Sequence, residues 1–169
     1  MAVNAYLYIE GVEGPSNGRA SCIDVLDLEW GASATPIGKH AGHEERETRA
    51  DFSRLTITKV IDKTSPRLTW LLYNNSCLPA VYVVYEKPVG DMQQAFFRLW
   101  LLNAYVDSVS LTGGKEEVPK EKVSFTYEGI EEAYAPEKDD GRLDAALSCE
   151  FYLTGGSRPE GSTEPTALE

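Results

Sequence analysis

The sequence predicts a mostly β fold, a two-sheet barrel or sandwich of about seven to nine strands with one short flanking α-helix. Three observations carry this. Most apolar segments alternate with period two or are rich in Tyr, Val, Ile and Phe. Clusters of Gly, Pro, Asn, Ser and Asp separate them. Only one stretch places apolar residues at helical spacing, Leu68, Leu71 and Leu72.

AYLYIEGV (5–12) is the first strand, closed by the turn cluster EGPSNG. CIDVLDLEWGAS (22–33) reads as a half-buried strand, with Asp24, Leu26, Leu28 and Trp30 on one side and Val25, Asp27 and Glu29 on the other. Residues 34–50, ATPIGKHAGHEERETRA, carry no strand period and read as a long connection of the kind that is functional or mobile. RLTITKVI (54–61) alternates again, with Leu55, Ile57 and Lys59 on one phase and Thr56, Thr58 and Val60 on the other.

IDKTSPRLTW (61–70) ends that strand. Pro66 cannot donate to a ladder and biases Ser65 away from helical backbone, so Ser65 reads as an N-cap and Pro66 as the first helical residue. NNSCLP (74–79) stops the helix. LPAVYVVYEKP (78–88) is a strand followed by a Gly-containing hairpin loop, PVGDMQ. AFFRLWLLNAYVDSVSLT (95–112) is too long for an ordinary strand, and Asn103 interrupts its phase, which predicts a bulge there. KVSFTYEGIEEAYAP (122–136) alternates with Val123, Phe125 and Tyr127 on one phase, and AALSCEFYL (145–153) is the last strand. The reading is one domain over 1–154, followed by a tail over 155–169 whose Gly, Ser, Pro, Thr and Glu cannot bury enough apolar area to order it.

Composition bounds the function. The net charge of −11 argues against nucleic acid or anionic lipid as partner. No apolar run reaches the length of a membrane span, so no membrane insertion is expected. The N-terminus lacks a basic region and turns acidic at Glu10, which argues against a cleaved signal peptide. Cys22, Cys77 and Cys149 are an odd, scattered set and read as reduced thiols acting as small buried apolar residues.

Catalytic chemistry is poorly supported. His40 and His43 are the sole histidines, and with Glu44, Glu45 and Glu47 they form a charged loop without the helix that presents a zinc site. No phosphate-binding glycine loop occurs. Asp139-Asp140 precedes Gly141 and reads as turn chemistry. The many aromatic residues lack a basic groove beside them, so core and subunit contact is the better reading than base stacking. No catalytic residue, metal or cofactor is expected.

The segments, in order, resemble the Hcp (haemolysin-coregulated protein) family of the bacterial type VI secretion system. The landmarks are AYLYIEGVEGPS, IDVLDLEWGAS, LTITKVIDKTSPRL, the hairpin around VYVVYEKPVG, VDSVSLTGG and KVSFTYEGIEEAYAPEKDDG, over roughly residues 3 to 153. The resemblance implies two packed β-sheets with one flanking helix. It implies a homo-hexameric ring that stacks into a tube, driven by sheath contraction behind a spike, with effector proteins as possible cargo in the lumen. Such a protein is cytoplasmic before firing, then secreted or delivered into a target cell. Residues 34–50 correspond to the family's extended loop, often Gly-rich in relatives but here HEERETR. Candidate subunit-contact residues on it are Ile37, His40, His43, Glu44, Arg46 and Arg49, with Arg46 and Arg49 expected against acids of a neighbour. Two alternatives stay open. One is the tail tube of a phage or other contractile injection system. The other is a lipocalin-like binding barrel, which calls for Gly-x-Trp near the first strand where this chain has Trp30-Gly31.

Overall fold

The computed structural model describes residues 3–36 and 48–153. The strands are β1 (Asn4–Ile9), β2 (Ile23–Asp24), β3 (Asp27–Glu29), β4 (Ala32–Pro36), β5 (Thr48–Phe52), β6 (Leu55–Val60), β7 (Leu78–Val89), β8 (Met92–Thr112), β9 (Lys120–Thr126), β10 (Gly129–Tyr134) and β11 (Leu147–Tyr152), with helix α1 at Ser65–Tyr73. Nine strands form one hydrogen-bonded network in the order β2-β1-β7-β8-β9-β6-β3, with β10 joining β8 to β11. All pairings are antiparallel.

The network folds in two at β8, a strand of 21 residues. Its first part pairs with β7 on one edge and, at Phe97–Leu102, with β10 on the other. Its last part, Tyr105–Thr112, pairs with β9. Asn103 lies between these stretches with φ of +47°, a left-handed backbone that Asn tolerates better than most residues. Its side chain donates to Glu128 Oε2 (2.8 Å), and Glu128 N–H donates to the Leu102 carbonyl (3.0 Å). The predicted irregularity at Asn103 is therefore the corner at which one sheet turns into the next. A further register shift falls between Val106 and Ser108.

The two ends of the strand order are joined by covalent chain, not by a closed ladder. Val25 N–H donates to Ala5 of β1, and Leu26 N–H donates to Thr58 of β6. The single strand expected over 22–33 is thus cut into β2, β3 and the start of β4. Its predicted faces do not hold: Val25 is buried and Leu26 is 54% exposed. The chain changes partner strand between these two residues, so no single period spans them. The segment 122–136 is likewise divided, into β9 and β10, where it follows the corner of β8.

Between the two halves lies the main core, including Leu7, Ile9, Ile57, Val81, Leu101 and Phe125. A smaller cluster of Ala80, Tyr82, Val84, Trp100 and Leu102 covers the opposite face of β7 and β8. Strand β7 is consequently buried on both faces, which explains why VYVVY is apolar throughout rather than alternating. Helix α1 has nine residues, too few to be stable alone. Leu68 and Leu71 are buried in the main core, and burial contributes about 1.5–3 kcal/mol for each such side chain.

Two local expectations need correction. Thr64, not Ser65, occupies the N-cap position, and its side chain makes no capping bond. Ser65 is held instead by the buried charges described below. Of the three cysteines only Cys22 is buried, where burial pushes its thiol pKa up; Cys77 and Cys149 are exposed.

Candidate assembly surface

Residues 34–50 are not a plain connection. Their described ends form a two-stranded ribbon in which Ala32–Pro36 pairs with Thr48–Phe52, and neither strand pairs with any other described strand. Arg49 stands opposite Thr35 in that ribbon. Ile37, His40, His43, Glu44 and Arg46 lie outside the described residues, as does the tail over 155–169.

The base of the ribbon is fastened to the domain by specific bonds. Gly31 N–H donates to Ser53 Oγ, and Ser53 N–H donates to the Gly31 carbonyl, each at 2.9 Å. Trp30 Nε1–H donates to the Tyr127 hydroxyl (2.7 Å), which donates in turn to the Ser53 carbonyl (2.7 Å). Phe52 stacks on Trp30 at 6.5 Å and meets Phe151 of β11 at 5.3 Å. Burial raises the Tyr127 phenol pKa, so it remains a donor through the neutral range. Tyr127→Phe leaves the indole N–H and the Ser53 carbonyl without this partner, at an expected cost of about 1–3 kcal/mol. A lower urea midpoint with unchanged slope is the expected reading; a midpoint equal to wild type would make the relay idle.

At the other side of β6, the strand-to-helix junction encloses a charged cluster. Lys59 is fully buried and donates to Glu121 Oε1 (2.7 Å), Asp62 Oδ2 (3.0 Å) and the Val60 carbonyl (2.9 Å). Ser65 Oγ donates to Glu121 (2.7 Å) and accepts from Asp62 N–H (3.0 Å). Asp62 also accepts from Thr64 N–H (2.7 Å), which shapes the turn leading into α1. Lys59 and Glu121 are direct cross-strand partners in the β6–β9 ladder. The sequence carried a signal for this: Lys59 shares the inward phase of Leu55 and Ile57, and Glu121 that of Val123 and Phe125. Two opposite charges on buried phases of paired strands point to each other.

The surface offers an unpaired edge. Among the described residues, strand β11 pairs only with β10, and five of its six residues are exposed, including Leu147 at 72%. Phe151 is 41% exposed despite its contact with Phe52. Such an edge is a template for another chain unless covered. The ribbon base and the β11 edge are adjacent through that Phe52–Phe151 contact. Among the described residues, no group of three or more His, Cys, Asp or Glu is arranged to hold a metal ion. Among the same residues, no helix is long and apolar enough to cross a membrane.

Among the described residues, a folded-over antiparallel network, one short helix on its core and an anchored ribbon beside an unpaired strand edge define a mostly β domain without a catalytic or metal centre. The family model described as type VI secretion system effector, Hcp, matches residues 6–134. The chain is 31% identical over 146 residues to Protein hcp1 of Pseudomonas aeruginosa, covering 85% of this chain and 90% of that protein. The chain belongs to the Hcp family of the type VI secretion system. Solved structures agree on the fold. A type six secretion system protein superposes with a TM-score of 0.79 at 24% identity, over 90% of this chain and 97% of the other. Hcp1 from Salmonella typhimurium gives 0.72 at 20% identity, over 91% and 97%.

Proposed function

We propose that the chain is a structural, non-catalytic subunit of the type VI secretion tube, with residues 1–154 as the tube domain. Six copies close into a ring, rings stack, and the tube is propelled by sheath contraction behind its spike. Effector proteins ride in the lumen, and the protein leaves the cell with the tube. The observation that best supports this is the unpaired β11 edge beside the anchored ribbon, in a domain of the Hcp family. A closed ring needs a head-to-tail contact, and stacking needs a second one that stays open-ended. A strand edge suits the first, and a ribbon that pairs with no other described strand suits the second.

The test is the mass of the purified protein by light scattering, with negative-stain images. A mass of about six subunits with annular particles is the expected result. A clean monomer at high concentration would sink the assembly. Each copy carries −11, so the contacts form against like-charge repulsion. Arg46→Glu with Arg49→Glu is therefore expected to weaken assembly, most visibly at low salt where charges are least screened. An assembly whose mass and salt dependence match wild type would remove these arginines from the contact.

A further inference from the structure

A cleft of about 910 Å³ lies between the turn at Gly18–Ala20, the start of β8 and the segment around Leu143 and Ala146. Its charged lining is Arg19, Glu86 and Arg98, a local excess of one positive charge in a chain of −11. Glu86 is nearly buried and is ion-paired with Arg19. Arg98 is half-buried and, among the described residues, has no carboxylate partner. It sits in the middle of β8, opposite Val84 and Ala133, so its guanidinium is held by a paired strand rather than a loop.

Two further features surround it. Met92, Phe96 and Leu143 line the cleft with apolar surface, and Met92 is 67% exposed. The β10 ladder ends at Phe97 opposite Tyr134, followed by one bond from Ala135 N–H to the Phe96 carbonyl. Beyond it, at Met92–Ala95, no described strand pairs with that edge of β8. The main-chain edge, the apolar wall and the fixed cation converge on one space.

We propose that this cleft binds an extended peptide segment of a partner protein that presents a carboxylate side chain followed by apolar residues at alternate positions. The segment adds to the free edge of β8 by main-chain hydrogen bonds, the mode in which sheet edges take up strands. Its alternate side chains face the cleft, so in an antiparallel segment a Glu-x-Leu-x-Leu pattern places the glutamate at the end nearest Arg98 and both leucines along the apolar wall. A guanidinium recognises a carboxylate through paired, charge-assisted hydrogen bonds, which accounts for the acid over its amide. This surface is distinct from the ribbon and the β11 edge, and the proposal does not depend on ring formation.

The probes are fluorescein-labelled Glu-Thr-Leu-Thr-Leu and its Gln counterpart, titrated by fluorescence anisotropy against the full chain. The Glu peptide is expected to bind saturably and about tenfold or more tighter than the Gln peptide. Arg98→Gln is expected to erase that difference. Met92→Asp, an exposed change that puts a carboxylate at the cleft mouth, is expected to weaken the Glu peptide several-fold while leaving thermal stability near wild type. Equal affinities for the two peptides, or no saturation by about 1 mM, would overturn the proposal. So would displacement by free glutarate at concentrations equal to the peptide's own, which would mark a small-carboxylate site. If Arg98→Gln changes the solution mass and no peptide discrimination exists, the cleft belongs to subunit contact and the proposal fails.

Discussion

Lys59→Met is expected to lower the unfolding free energy by about 3–5 kcal/mol, the usual cost of stripping one partner from a buried ion pair. For a domain of ordinary stability, about 5–15 kcal/mol, that is about a fifth of the total or more. The physical reason is what remains. Glu121 is 3% exposed and would keep a carboxylate whose only described charged partner, Lys59, has gone. Asp62 would lose the same partner. Methionine fills a volume similar to the lysine stem, so cavity formation contributes little and the loss reports electrostatics. Lys59→Met combined with Glu121→Leu is expected to recover at least half of the loss, because an apolar pair of similar volume carries no desolvation penalty. Urea unfolding followed by tryptophan fluorescence checks both variants. A single-variant loss below about 1 kcal/mol would mean that water reaches the cluster and screens it. The consequence reaches beyond stability, since Ser65 and Asp62 shape the entry to α1 through the same cluster.

Replacing residues 34–50 by Asn-Gly is expected to abolish stacking while leaving the domain folded. Ser33 and Asp51 are direct register partners, so a two-residue turn joins them in the geometry that Asn-Gly favours. Ala34, Ala50 and Asp51 are exposed, so little buried area is lost at the cut. Trp30, Phe52, Ser53 and Tyr127 remain, and the anchoring bonds survive with them. The thermal midpoint is expected to stay within a few degrees of wild type. Electron micrographs are expected to show isolated rings and no tubes at concentrations where wild type stacks. Tubes of wild-type length would show that the ribbon plays no part in the stacking contact. Loss of the ring itself would move the ribbon to the lateral contact.

The alternation of 54–61 and 122–127 placed Leu55, Ile57, Val123 and Phe125 on inward phases, and all four are buried. Leu68 and Leu71 marked the one helix, and both are buried. Asn103 marked the corner of β8 through its break in phase. These features are local: period and backbone preference act over a few residues, so the sequence displays them directly. The class of the fold was legible in this way, whereas the family was read from the resemblance of the ordered segments and shown by the family model over residues 6–134.

The tertiary structure alone decided where partners change. Nothing local shows that Val25 bonds to β1 while Leu26 bonds to β6, because both residues suit an extended strand. The ribbon ends at 32–36 and 48–52 were hidden as well, since Ala32, Ser33, Ala34, Ala50 and Asp51 are all exposed and leave no hydrophobic period to read. Ser65 was legible as a helix-start residue, but its hydroxyl serves Glu121, 56 positions away in the chain. The phase of Lys59 revealed burial, while its pairing with Glu121 depended on the β6–β9 register. Period along a strand encodes which face is inward. Which strand lies alongside, and in what register, is decided by long-range burial and hydrogen bonding, and there the anchored ribbon, the buried charges and the Arg98 cleft arise.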